Sequence, residues 1–227
     1  MSFQKFTLGL VAAFGLPWLL LIAVPFGTTR NIDAPEFDED KDGRTGLYET
    51  ASRTGRVANG SEVYGANGCY VCHTQVIRPT NAGNDLWRDA WAGQKNDDTK
   101  NGPRESNAFD YKGELIAHIG LTRNGPDLSN VGYRLEQAAA AAGVSPEDYV
   151  YQRLLTPRAI LDNYDSTCPS QPQLFRPANA FGQTTEAYLD AEGNKLVPGK
   201  SAKALANYLL KLKKDDFIPD SINYSRD

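Results

Sequence analysis

The chain is poor in the residues from which most metal and redox sites are built. Its 227 residues hold one methionine, two histidines and three cysteines. Ligands so few leave no Cys/His zinc site without help from carboxylates. Basic charge is not in excess either: the net charge is −4 and no Lys/Arg stripe occurs, which excludes a nucleic-acid footprint. There is no phosphate loop, no nucleophile–base pair and no carboxylate pair placed by a convincing motif, so the chain does not read as a catalytic polypeptide. With 41% apolar residues, the composition is that of a soluble, slightly acidic body: one domain of ordinary size, or a small domain with accessories.

The composition average hides one local exception. From Phe6 to Gly27 the chain carries no charge, bracketed by Lys5 and Arg30. That is enough for a membrane-crossing helix, which needs roughly 20 apolar residues. Pro17 lies inside the run and is expected to kink it. A cleaved signal peptide is the competing reading. Its apolar core is shorter, typically about 7–15 residues, and Ile22-Ala23-Val24-Pro25 offers no small-residue cleavage site. No cysteine follows the run to carry a lipid. The expectation is an uncleaved anchor, and a Lys/Arg bias of one residue on each side decides little about its orientation.

The most informative stretch is Cys69-Tyr70-Val71-Cys72-His73. A C-x-x-C-H sequence is the attachment signature of a c-type haem: two thiols add to the vinyl groups and the adjacent imidazole reaches the iron. A redox disulfide or half a zinc site are the other readings of C-x-x-C, but neither requires His at the next position. One covalent haem c is therefore expected, with Cys69 and Cys72 as its anchors and His73 as proximal ligand. Covalent attachment takes place outside the bacterial cytoplasmic membrane in c-type cytochromes, so the globular part is expected in the periplasm and the odd cysteine, Cys168, in an oxidising compartment.

Around this motif the chain divides as anchor (1–30), acidic linker (31–55), haem domain (56–215) and C-terminal tail (216–227). A first helix is expected from about Ala58 to Gly68, with Gly60 and Tyr64 on one face. A last helix is expected from Ser201, as N-cap, to Lys213, with an apolar stripe of Leu205, Tyr208, Leu209 and Leu212. Between them, Thr80 to Gly113 is a long polar insertion that reads as a mobile loop or a partner-binding excursion. Trp87 and Trp91, spaced i, i+4, read as local hydrophobic packing or as a pair that packs the insertion onto the domain. Asp85, Arg88 and Asp89 read as a solvated face. Ser145-Pro146 marks another helix start, ending before Thr156-Pro157-Arg158. In Arg123-Asn124-Gly125-Pro126-Asp127-Leu128, a turn brings backbone toward the haem. The Pro126 carbonyl is expected to accept from the proximal His, and Arg123 to pair with a haem propionate.

Taken together, the anchor, Gly68 through Pro79 with its Gln-x-Ile-Arg-Pro tail, Arg123 through Leu128 with Val131-Gly132 and Arg134, and Leu155-Thr156-Pro157-Arg158 resemble one family. That family is the monohaem, membrane-anchored subunit II of cbb3-type cytochrome c oxidases. The resemblance spans roughly residues 6–170. It implies an all-α fold, one N-terminal transmembrane helix followed by a cytochrome c-like domain carrying the polar insertion. It also implies electron relay from another c-type cytochrome to a membrane-embedded haem–copper catalytic subunit, with this chain non-catalytic in itself.

One departure matters. The family's sixth iron ligand is a Met preceding a Pro, shortly after the Pro-Arg element, whereas the only Met here is Met1. Cys168-Pro169 stands at the equivalent place, so Cys168 is the leading distal ligand, with His118 or an open position as alternatives. A thiolate would lower the reduction potential where Met raises it. The missing Met also keeps alive a second function, an anchored haem sensor or gas-binding cytochrome. A third is a stand-alone anchored donor serving several enzymes.

Overall fold

The computed structural model describes residues 2–31, 55–98, 102–111, 114–158, 166–178 and 188–216. Nearly all of the expected acidic linker and of the C-terminal tail lies outside them. The chain separates into two units, Met1–Thr45 and Gly46–Asp227.

The described residues of the first unit form a continuous helical rod over Phe3–Thr29, with no part of its apolar window buried. At 1.5 Å per residue it is about 40 Å long, more than the ~30 Å of a hydrocarbon core. It is thus long and apolar enough to cross a membrane. The rod is not uniform: α1 (Phe3–Trp18) and α2 (Val24–Thr29) are joined by a π-helical turn, Leu19–Ala23. There the Val24 N–H reaches the Leu19 carbonyl, five residues back. Pro25 has no N–H to offer Leu21, and a widened turn before it makes room for its ring. The irregularity expected at Pro17 therefore falls one turn later, between the two prolines.

In the second unit, α3 (Arg56–Ala66) leads through a left-handed Gly68 into a single turn, α4 (Cys69–Cys72). Two antiparallel neighbours follow the insertion, α5 (Val131–Ala142) and α6 (Pro146–Leu155), and α7 (Lys200–Leu210) closes the fold. Gly143, at φ +68°, caps α5. Ser145 caps α6 as expected, its Oγ accepting from the Asp148 N–H. At α7 the expectation fails, because Gly199 holds the N-cap position and Ser201 lies inside the helix.

The first and last helices cross at Gly60. A Cβ there would lie 2.2 Å from the Ala204 carbonyl oxygen and 2.5 Å from Tyr208 Cβ, so backbone meets backbone. Tyr64, Leu128, Val131, Val150, Leu155, Leu205, Tyr208 and Leu212 form the core between these helices. The fold is not plainly all-α. A three-stranded antiparallel sheet, β1 (Phe175–Pro177), β2 (Tyr188–Leu189) and β3 (Lys195–Pro198) in the order β1-β3-β2, sits between α6 and α7 in sequence. Asp190 makes the β2–β3 turn by accepting from the N–H groups of Glu192 and Asn194, with Gly193 at φ +83°. The strands are two to four residues long, too short for a readable alternation.

The polar insertion is folded onto the domain where it is described. Arg104 and Asp110 form a buried two-pronged ion pair, and Arg104 Nε also donates to the Asp216 carbonyl. Trp91 lies between the guanidinium groups of Arg88 and Arg134, 4.3 and 5.0 Å from its ring. Its carbonyl accepts from Asn130. Trp87, its expected companion, is exposed.

Candidate haem site

One helical turn puts Cys69 and Cys72 on the same side, three residues apart, and both thiols are half-buried. The backbone then turns into extended geometry at His73 (φ −120°, ψ 134°). Its Nδ1 lies 2.8 Å from the Pro126 carbonyl oxygen, the partner expected from the sequence. A carbonyl only accepts, so Nδ1 carries the proton and Nε2 of the neutral ring keeps its lone pair. Burial lowers the His73 pKa against the opposing pull of the Pro126 bond and Asp127, and so favours that neutral, ligand-competent form.

Residues 119–128 lie against the motif along its length. Leu121 N–H donates to Tyr70 O, Gly125 N–H to Cys72 O and Leu128 N–H to Thr74 O, while Gln75 N–H donates to Ile119 O. Gly125 is pressed onto the imidazole: a Cβ there would stand 2.2 Å from Cε1 and 2.6 Å from Nδ1 of His73. The tail after His73 is explained by what it touches. Gln75, fully buried, pairs with the Tyr208 hydroxyl on α7, and its carbonyl accepts from Tyr111. Ile77 is buried and exchanges hydrogen bonds with Ser106.

One sequence expectation is corrected here. Arg123 is drawn inward: Nε donates to Thr74, Nη1 to the Asp85 carboxylate at 2.7 Å and Nη2 to the Val76 carbonyl. The cause is Asp85, which is completely buried where a solvated face was expected. Burial alone would raise its pKa, but hydrogen bonds from the Arg78 side chain and N–H and from Arg123 hold it below the ordinary carboxylate value. His118 is a core residue. Its ring packs edge-on to Tyr64 at 5.0 Å and its Nε2 sits 3.1 Å from the Ser61 carbonyl, with burial lowering its pKa. The imidazole also packs edge-on to Tyr208 of α7, so it touches both crossing helices.

Cys168 is exposed and lies on a segment tied to the end of α6 by Ser170 Oγ to the Leu155 carbonyl and Gln171 N–H to the Leu154 carbonyl. It is within electrostatic reach of the motif. Burial pushes the Cys69 thiol up to about 11, and negative charge on Cys168 adds to the rise. Packing around the Cys168 sulfur likewise raises its thiol, with Arg153 opposing and Cys72 reinforcing. Residues 159–165, which precede this segment in the chain, lie outside the described residues.

Sequence reasoning gave no role to two further cations. Arg134 and Arg153 both act electrostatically on His73. Arg134 donates from Nη2 to the Asp127 carbonyl, but its Nε is buried with no partner. A buried guanidinium N–H left unpaired beside a half-buried Cys-x-x-Cys-His turn fits an acceptor brought by a ligand, such as a porphyrin carboxylate. Among the described residues no group of three or more His, Cys, Asp or Glu is arranged to hold a bare metal ion. The donor set suits a macrocycle that brings its own equatorial ligands. No protein-family model and no curated protein matches this chain.

Proposed function

We propose that the chain is a membrane-anchored, monohaem c-type cytochrome that relays electrons within a haem–copper (cbb3-type) terminal oxidase or a related respiratory complex. The observation that carries this reading is the arrangement at His73: an imidazole whose Nδ1 is committed to Pro126, on a turn that presents Cys69 and Cys72 beside it. In this reading Cys69 and Cys72 would hold the haem covalently, His73 Nε2 would be its proximal ligand, and Arg134, whose buried Nε has no hydrogen-bond partner, would be a cation available to a propionate. The bound haem supplies one-electron Fe(III)/Fe(II) chemistry. Cys168, on the segment facing the motif, is the distal ligand in this reading, and its negative charge favours the ferric state. The helix over Phe3–Thr29 anchors the chain in the cytoplasmic membrane, with the haem domain in the periplasm. Electrons arrive from another c-type cytochrome and leave to the catalytic subunit.

Two measurements test this. Haem staining of the denatured chain should be positive and should disappear in the Cys69→Ala/Cys72→Ala variant; a wild-type chain without covalent haem ends the proposal. Low-temperature EPR of the ferric protein should show a low-spin thiolate signal that Cys168→Ala removes, and an unchanged spectrum would take Cys168 off the iron. The exposure of Cys168 favours a second reading, a gas-binding cytochrome whose distal ligand is displaced. Carbon monoxide binding to the native reduced protein distinguishes it.

A further inference from the structure

Residues 125–128 are tied rung by rung to residues 72–74. Gly125 N–H donates to Cys72 O, Pro126 O accepts from His73 Nδ1 and Leu128 N–H donates to Thr74 O. The remaining rung is made by a side chain. Asp127 is 1% exposed, and its Oδ2 accepts from Thr74 Oγ1 at 2.6 Å and from the Val76 N–H at 2.8 Å. Its Oδ1 accepts from the Ser129 N–H at 2.8 Å, the local turn that an Asp commonly makes. The bonds to Thr74 and Val76 are different in kind. They fasten the residue after Pro126 to the strand leaving His73, on either side of the Nδ1 hydrogen bond.

The direction of these bonds fixes the charge. Arg123 Nε donates to Thr74 Oγ1 at 2.8 Å, so the Thr74 proton points to Asp127. A group met by donors on both oxygens is an acceptor-only carboxylate. Ion pairing cancels little of its charge. Arg123 is committed to Asp85 at 2.7 Å and reaches Asp127 Oδ2 only at 3.5 Å. Arg134 donates to the Asp127 backbone carbonyl, and on the haem reading a propionate on its Nε offsets it. A buried charge is poorly screened, so this one acts on the neighbouring imidazole and on whatever that imidazole binds.

We propose that Asp127 is a positioning residue for His73: its carboxylate clamps Thr74 so that the Pro126 carbonyl stays on Nδ1, and its negative charge biases the bound haem toward Fe(III). This rests on the c-type reading above and adds to it a residue that sets the haem's redox balance. The carboxylate acts through the ring, as partners of an iron-ligating histidine do.

The test uses the full-length holoprotein in detergent, equilibrated with a redox mediator at fixed potential. Asp127→Asn keeps the shape of the side chain and removes its charge. Its Fe(II)/Fe(III) ratio should rise at least tenfold over wild type, ~59 mV for one electron. Loosening of the fold alone moves the ratio the other way, because water reaching the haem stabilises the more highly charged ferric form. An unchanged or lower ratio therefore overturns the proposal. Thr74→Val removes the bridging hydroxyl and keeps the carboxylate. Its ratio should stay within threefold of wild type, while the His73 Nδ1 proton, followed by NMR of the reduced protein, should exchange with deuterium at least tenfold faster. A ratio raised as far as in Asp127→Asn, or an unchanged exchange rate, also overturns the proposal. If Asp127→Asn does not retain haem, Thr74→Val decides. A wild-type chain without covalent haem is the separate failure of the underlying reading.

Discussion

Gly125 has no side chain because the His73 ring occupies the place where one would go. In Gly125→Ala the new methyl meets Cε1 and Nδ1, and the ring has to turn away from the Pro126 carbonyl. We expect a loss of about 1–3 kcal/mol, the usual cost of overpacking, read from urea unfolding, and, on the proposed haem reading, a changed ferric absorption spectrum. An unchanged spectrum and midpoint would mean that the ring is not held by this contact. At this scale the motif was legible and its support only partly so. The bond from His73 to Pro126 followed from a Gly-Pro-Asp turn downstream of Cys-x-x-Cys-His. The tasks of Arg123, Asp85 and Arg134 did not, because a charged residue in a polar stretch looks the same whether its counter-ion is water, a ligand or a buried partner.

The helices were visible as periodic stripes, and Gly60 spaced four residues from Tyr64 marked the crossing. Gly60→Ala should be destabilising despite the better helix propensity of Ala, about 1 kcal/mol in its favour, because neither the Ala204 carbonyl nor Tyr208 Cβ can yield 1 Å without separating the helices. The expected net loss is about 1–3 kcal/mol, seen as a lower thermal midpoint with the helical circular dichroism retained at low temperature. A midpoint equal to wild type would show that the crossing is looser than 2.2 Å implies. The sheet was not legible. Its strands are too short for alternation, and β1 pairs with a β3 that lies far along the chain, Phe175 opposite Pro198.

For the molecule as a whole, two buried groups tie stability to pH with the same sign. His118 has a folded pKa below its ordinary value because burial penalises its charged form. Its contribution is complete above about 6.5 and declines as pH falls below that. Asp85 is also depressed, so its contribution is present above about 4 and is lost as pH falls through the lower folded value. Stability from urea unfolding should therefore fall on acidification, first below about pH 6.5 and further below about pH 4. Asp85→Asn leaves Arg78 and Arg123 without their shared carboxylate and should cost about 3–5 kcal/mol at neutral pH. It should also flatten the profile below pH 4, and a variant as acid-labile as wild type there would remove Asp85 from this account.

What the sequence by itself determined is local in origin. A run of apolar residues makes a helix of membrane-crossing length, and two thiols with the next imidazole come within one turn of backbone. A serine before a proline starts a helix. Each depends on residues a few positions apart, whose geometry the backbone sets. Tertiary structure decided everything that depends on which distant groups become neighbours. It withdrew His118 into the core between Tyr64 and Tyr208 and turned Arg123 onto a buried Asp85. It left Arg134 Nε without a hydrogen-bond partner, and left Tyr70, Val71, Ile119 and Leu121 exposed at and beside the Cys69–His73 turn. A buried charge takes the nearest opposite charge, and only the folded chain determines which one that is.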